Sequence, residues 1–166
     1  MTDLYSELLV KKEQTAKDKV IKFLLIGLIA VSAVMGLAIT LVWIVTLALG
    51  IAAYFIIPNL DLEYEYVFVN GELDIDKIAS KSKRKRAKSF DLSKMEIMAP
   101  VNSHRMDYQN HNTNLKVLDF SSGNKSHKIF AMIIPDEKEV YKVLIEPDQE
   151  LIENIKKSCP RKVFVD

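Results

Sequence analysis

The chain has 166 residues, 49% of them apolar and 27% charged, with a formal net charge of +1. That length suits one domain of ordinary size, but the apolar residues are placed too unevenly for a uniform globule. A single cysteine, Cys159, excludes an intrachain disulfide and fits a reducing compartment.

In chain order, the first 19 residues predict a short helix. Leu4, Tyr5, Leu8 and Leu9 share one face at three- and four-residue spacing, and lysines follow. Such a segment suits the membrane interface, and a frayed polar tail is the alternative.

From Phe23 to Leu60 no side chain is charged, a run of 38 residues. A bilayer core needs about 20 residues of helix. One helix of this length would measure about 57 Å, so two spans joined by a tight turn fit better. The run is too long for a cleaved signal peptide, and a buried hairpin in a soluble fold is the competing reading. We place the turn at Ser32–Gly36, the first span over about 19–34 and the second over about 37–57, with Pro58 as its stop. The first span is short, so Lys19 and Lys22 would snorkel toward headgroups. A hairpin that enters without crossing also satisfies the pattern. Gly27, Ala30, Ala48 and Ala52 are small enough for close helix contact. Lys11, Lys12, Lys17, Lys19 and Lys22 precede the run, the turn is uncharged, and a basic run follows. The positive-inside rule then predicts a multi-pass cell-membrane protein with both termini cytoplasmic.

Beyond Pro58 the apolar period changes to two. Leu62, Tyr64, Tyr66 and Phe68 alternate with acids, and Asn70-Gly71 predicts a two-residue hairpin turn. That turn sets Val69 against Glu72, Phe68 against Leu73, Tyr66 against Ile75 and Glu65 against Asp76. The last pair is unfavourable, and Lys77 is the nearest residue to soften it. Asp61, Glu63, Glu65, Asp74 and Asp76 then form a solvated outer face rather than a catalytic pair.

Between Lys81 and Lys88 six of eight residues are basic: Lys81, Lys83, Arg84, Lys85, Arg86 and Lys88. A block of like charge predicts a loop between the second and third strands, with a continuation of either strand as the alternative. Short strands follow in "KSFDL" and "KMEIMA", with a kink at Ser93-Lys94, then in "NLKVLDFSS", "HKIFAMII" and "EVYKVLIE". "SSGNKS" and "PDEK" read as turns. One amphipathic helix closes the chain. Asp148 caps it, Leu151, Ile152 and Ile155 form its apolar face, Lys156 and Lys157 occupy its last turn, and Pro160 ends it.

Seven short strands and a final helix is the order of a pleckstrin-homology-like (PH-like) barrel. The fold class read from the sequence is therefore membrane-anchored α+β. An interfacial helix (1–19) and a transmembrane hairpin (20–58) lead into a seven-stranded PH-like barrel capped by a helix (61–159), with a tail (160–166). "SFDLSKMEIMAP" after a basic turn resembles the membrane-anchored bacterial PH-domain proteins. "LDLEYEYVFVNGELDIDKI", "SKSKRKRAKSFDL", "EIMAP", "VLDFSSG" and "PRKVF" resemble, more closely, a small membrane-protein family of clostridial Gram-positive bacteria whose function is unknown. The resemblance implies a membrane location and binding or scaffolding, and supplies no mechanism.

The basic residues are the candidate site. An anionic leaflet attracts each Lys or Arg near its surface by about 1 kcal/mol. Lipid headgroups are thus the first candidate partner, with a protein partner, a homo-oligomer or plain solvation as alternatives. Nucleic acid does not fit, since neither interleaved aromatics nor a recognition helix accompanies the run. His104, Asp107 and His111 have ligand-like spacing but lie in an Asn-rich segment that reads as a flexible loop, which makes a poor zinc site. His127 starts a strand with no evident partner. Cys159 follows a helix, where the dipole does not activate a thiol. Without a nucleotide, zinc-protease or nucleophile-elbow motif, the sequence predicts a protein that needs no cofactor or metal and is not an enzyme. An accessory subunit of a larger membrane complex is the alternative function.

Overall fold

The computed structural model describes residues 4–81, 83–124, 126–136 and 139–166. It opens with a strand. β1 (Tyr5–Lys11) leads into two long helices, α1 (Ala16–Gly36) and α2 (Val42–Leu60). β2 (Leu62–Val69), β3 (Glu72–Ala79) and β4 (Lys83–Asp91) follow, then β5 (Ile97–Pro100), a five-residue helix α3 (Asp107–His111) and β6 (Lys116–Asp119). β7 (Phe130–Asp136), β8 (Glu139–Ile145) and α4 (Gln149–Ser158) complete the fold.

The helix expected over the first 19 residues is corrected by β1. Its leucines satisfy helical spacing, but Leu4, Ser6, Leu8 and Val10 also alternate. That alternation prevails because β2 offers an apolar edge. Tyr5 pairs antiparallel with Val69, through to Lys11 with Glu63. The helical hairpin is thus inserted between the first two strands of one sheet.

Thr15 opens α1 with a capping box: its Oγ1 accepts from Asp18 N at 3.3 Å, and its own N–H donates to Asp18 Oδ2 at 2.9 Å. At 21 and 19 residues, α1 and α2 measure about 31 and 28 Å. Each is long and apolar enough to cross a hydrocarbon core of about 30 Å. Their apolar side chains, Phe23, Leu24, Val34, Ile44 and Leu47 among them, are exposed, so the hairpin is not buried within this chain. The turn falls at residues 37–41, later than expected, so the first span is not short. Gly36 is the last residue of α1 rather than part of the turn, and a Cβ there would lie 3.0 Å from the Trp43 ring. Pro58 sits within the last turn of α2 rather than just beyond the helix. Thr46 Oγ1 donates across to Ser32 Oγ at 3.0 Å.

The strands form two four-stranded sheets, β1-β2-β3-β4 and β5-β7-β8-β6, rather than a closed seven-stranded barrel. Among the described residues no ladder joins the sheets. The β6–β8 pair is parallel and the others are antiparallel. The Asn70-Gly71 hairpin has the expected register, with both turn residues at positive φ, 49° and 97°. The "PDEK" turn falls partly, at Glu137 and Lys138, outside the described residues, as do Ser82 in the basic run and Lys125 in "SSGNKS".

The core lies between the sheets. Tyr66, Phe68, Leu73 and Ile75 of the first face Met98, Phe130, Met132, Val143 and Ile145 of the second, all 0–1% exposed. Each such side chain stabilises the fold by roughly 1.5–3 kcal/mol. Phe90, Leu92, Met95 and Met98, four of the five apolar positions of "SFDLSKMEIM", are in this core, and Ile97 packs with Ala99 and Ile133 on the other side of the second sheet. α4 adds Leu151, Ile152 and Ile155. Asp148 caps it by accepting from Leu151 N at 2.8 Å. Asn154 Nδ2 donates to Tyr5 O at 3.3 Å, which ties α4 to β1. Cys159 is buried, and its thiol donates to Leu92 O at 3.3 Å.

Candidate functional site

The basic run is a strand, not a loop. Lys83–Asp91 pairs along β3 as the outer strand of the first sheet. The turn before it sets Ser80 and Lys81 at positive φ, 48° and 58°. Charged side chains suit this position because an open strand edge otherwise invites pairing with another chain.

One irregularity divides the charges. Opposite Ile75 stands Lys88, but opposite Asp76 stands Arg86, so Ala87 is an extra residue in β4. Strict alternation from the buried Phe90 would send Lys88, Arg86 and Arg84 to one face. The bulge turns Arg86 and Arg84 to the outer face, where Glu65 and Asp76 are paired across β2 and β3. It leaves Lys85 and Lys83 on the other face, opposite Lys77 and Ala79.

The outer face consumes both arginines. Arg84 Nη2 lies 2.5 Å from Glu65 Oε1, and Arg86 lies 2.7 Å from Asp74 Oδ2 and 2.9 Å from Asp76 Oδ1. Glu65 and Asp76 are only 3% and 6% exposed, so the acidic face is not simply solvated. Arg84 and Arg86, not Lys77, offset the Glu65–Asp76 repulsion. Burial pushes the Glu65 carboxyl above its usual range; Arg84 pulls it down, and Glu7 and Asp76 add to the rise. The hydrogen bond to Asp76 and the nearby Asp74 hold the Arg86 guanidinium more firmly charged. Lys88 is likewise engaged, 3.0 Å from Asp136 Oδ2 and 4.6 Å over the Tyr141 ring.

Lys81, Lys83 and Lys85 remain, all exposed at the β3–β4 tip. Lys83 Nζ donates to Tyr54 Oη at 3.3 Å and sits 4.5 Å from the centre of its ring. Tyr54 lies in α2, six residues before its end, or about 9 Å along the helix axis. The tip therefore runs alongside the last turns of an apolar helix. Lys11 and Lys12 adjoin the same end. Lys11 Nζ is 3.6 Å from Asp61 Oδ1, and Lys12 N donates to Leu62 O at 2.9 Å.

The family comparison bears directly on this arrangement of two sheets, a closing helix and a helical insertion. The bacterial PH-like domain (DUF6106), a family of unknown function, matches residues 2–165. The chain belongs to that family. Neither the curated proteins nor the solved structures gave a match. PH-like domains are typically binding or scaffolding modules, and the match adds no catalytic assignment.

The other polar candidates of this PH-like chain resolve as follows. The segment expected as a flexible loop folds into a short 3-10 turn, His104–Met106, and α3. Met106 anchors it, packing with Ala99, Ala131 and Ile133 on the outer side of the second sheet. His104 Nδ1 is 3.4 Å from Asp107 Oδ2, while His111 Nδ1 contacts the Asp107 backbone carbonyl at 2.7 Å. The two rings thus do not converge on one carboxylate. Among the described residues no three His, Cys, Asp or Glu side chains are grouped to hold a metal.

His127 precedes β7 and does have a partner. Its Nδ1 pairs closely with Glu146 Oε1, and Ser122 Oγ lies 3.4 Å from the same nitrogen. A hydroxyl and a carboxylate on one ring nitrogen is not a nucleophile–base relay, which needs them on opposite nitrogens. The cluster instead secures the chain entering α1. Asn124 Nδ2 donates to Glu13 Oε1 at 2.8 Å, and Glu13 N donates to Ser122 O at 2.8 Å.

Proposed function

We propose that this PH-like chain is an integral protein of the cell membrane with both termini in the cytoplasm, and that it binds or scaffolds rather than catalyses. α1 and α2 anchor it. The exposed lysines of the β3–β4 tip, Lys81, Lys83 and Lys85, rest on anionic headgroups. The observation that carries this reading is the Lys83–Tyr54 contact, which holds the tip beside α2 where that helix would leave a bilayer. Three lysines near an anionic leaflet contribute roughly 3 kcal/mol of attraction. The helices already tether the tip, so docking costs little extra entropy. Arg84, Arg86 and Lys88 belong to this reading only as the pairs that stiffen β4.

The test is amide hydrogen exchange of the full chain in nanodiscs. Exchange across residues 79–85 is expected to slow in phosphatidylglycerol discs relative to phosphatidylcholine discs. The difference should shrink in high salt and vanish in Lys81→Gln/Lys83→Gln/Lys85→Gln. Equal exchange in both lipids at low salt would overturn the lipid reading and favour a protein partner at the same tip.

A further inference from the structure

A cleft of about 910 Å³ lies on the flank of the second sheet. Val101, Ile129 and Leu144 give it apolar walls, and the basic side chains of Arg105 and Lys128 stand at its rim. Both cations reach toward the same short stretch of chain. Arg105 Nε is 3.5 Å from Asp166 Oδ2, and Lys128 Nζ donates to the adjacent carbonyl, Val165 O, at 2.8 Å. The two contacts fall on consecutive residues, which brings both cations to the same end of the cleft. The Arg105 guanidinium carbon also lies over Phe164, 4.0 Å from the ring centre.

We infer that this cleft binds an organic phosphate monoester, its phosphate between Arg105 and Lys128 and its apolar part against Val101, Ile129 and Leu144. The guanidinium fork matches two phosphate oxygens, and the lysine supplies a second charge for a dianion. The Asp166 side chain occupies the position of the anion at a long 3.5 Å, between exposed groups. Such a pair contributes little and is readily displaced. The ligand can reach the cleft from solution or from a membrane. His127 lines the cleft, and its neighbour Asn124 bonds Glu13 just ahead of α1, so this end adjoins the chain entering the helices.

The test uses the full chain in phosphatidylcholine nanodiscs, titrated calorimetrically with phenyl phosphate. Wild type is expected to bind saturably. Arg105→Gln/Lys128→Gln should weaken binding about tenfold or more. Asp166→Asn, which removes the competing carboxylate without touching the walls, should tighten it several-fold. Lys81→Gln/Lys83→Gln/Lys85→Gln should leave it unchanged, which separates this site from the tip. Competition by phosphatidic acid placed in the discs would identify a lipid source, and its absence a soluble one; both support the site. Absence of phenyl phosphate binding, equal binding by the Arg105/Lys128 variant, or loss in the tip variant would each overturn it.

Discussion

Replacing Arg84 by alanine isolates the pairing of the basic run with the acidic hairpin. Glu65 Oε1 then loses its partner at 2.5 Å, and Glu65 Oε2 already has none. The Glu65 side chain is 4% exposed, whereas that of Arg84 is 57% exposed. Removing one member of a fully buried pair costs about 3–5 kcal/mol, and a charge-assisted hydrogen bond contributes about 1.5–3 kcal/mol. The exposure of Arg84 screens the attraction, so we expect a loss near the lower figure, about 1.5 kcal/mol at neutral pH.

The pH dependence follows from the direction of the Glu65 shift. Its folded carboxyl sits above the unfolded value, so the native state binds the extra proton. The associated stability is present in acid and lost as pH rises through the folded value. Without Arg84 the carboxyl rises further. The deficit of the variant should therefore be largest near neutrality and shrink as the pH falls. Urea denaturation, followed by near-ultraviolet circular dichroism of the buried Tyr64 and Tyr66, measures it. Glu65→Gln/Arg84→Ala should recover most of the neutral-pH loss. An equal deficit at acid and neutral pH, or a double variant no better than the single one, would refute the reasoning.

Three further outcomes are expected. Gly71→Ala should destabilise the chain by about 1 kcal/mol or more in the same denaturation assay, since Gly71 holds φ at 97° and a Cβ would meet Ser158 Oγ at 3.1 Å. Asp148→Ala should cost about 1 kcal/mol by removing the cap of α4; Asp148→Asn should restore most of it. Met98→Ala, at the fully buried end of the family-like motif, should cost about 2–5 kcal/mol and raise the labelling rate of the buried Cys159 by a thiol reagent.

Much of the fold was legible where the signal is local. The Asn70-Gly71 turn fixed the β2–β3 pairing residue by residue. Asp148 and the spacing of Leu151, Ile152 and Ile155 marked α4, and the uncharged run marked the two apolar helices. The misses are non-local. The partner of β1 lies beyond the whole helical hairpin, so its leucines read equally well as a helix until β2 supplies an edge. The loop expected at the basic run followed from counting like charges on one strand. The counterions of its arginines are on β2 and β3, and only the bulge at Ala87 brings Arg84 and Arg86 over them. Acidic residues on a hairpin followed closely by a basic run of similar length could have signalled that pairing. The site was accordingly legible as a charge patch, but not its division into paired arginines and exposed lysines at the tip.

The most direct measurement of the central claim is the depth of the β3–β4 tip in a bilayer. In a Cys159→Ser background, a fluorophore at Ser80→Cys marks the tip, and one at Glu72→Cys marks the far end of β3, about 26 Å away at the rise of an extended strand. In phosphatidylglycerol nanodiscs carrying headgroup nitroxides, strong quenching is expected at residue 80 and little at residue 72, with quenching at residue 80 weaker in phosphatidylcholine. Equal quenching at both positions, or none at residue 80 in anionic lipid, would contradict the account.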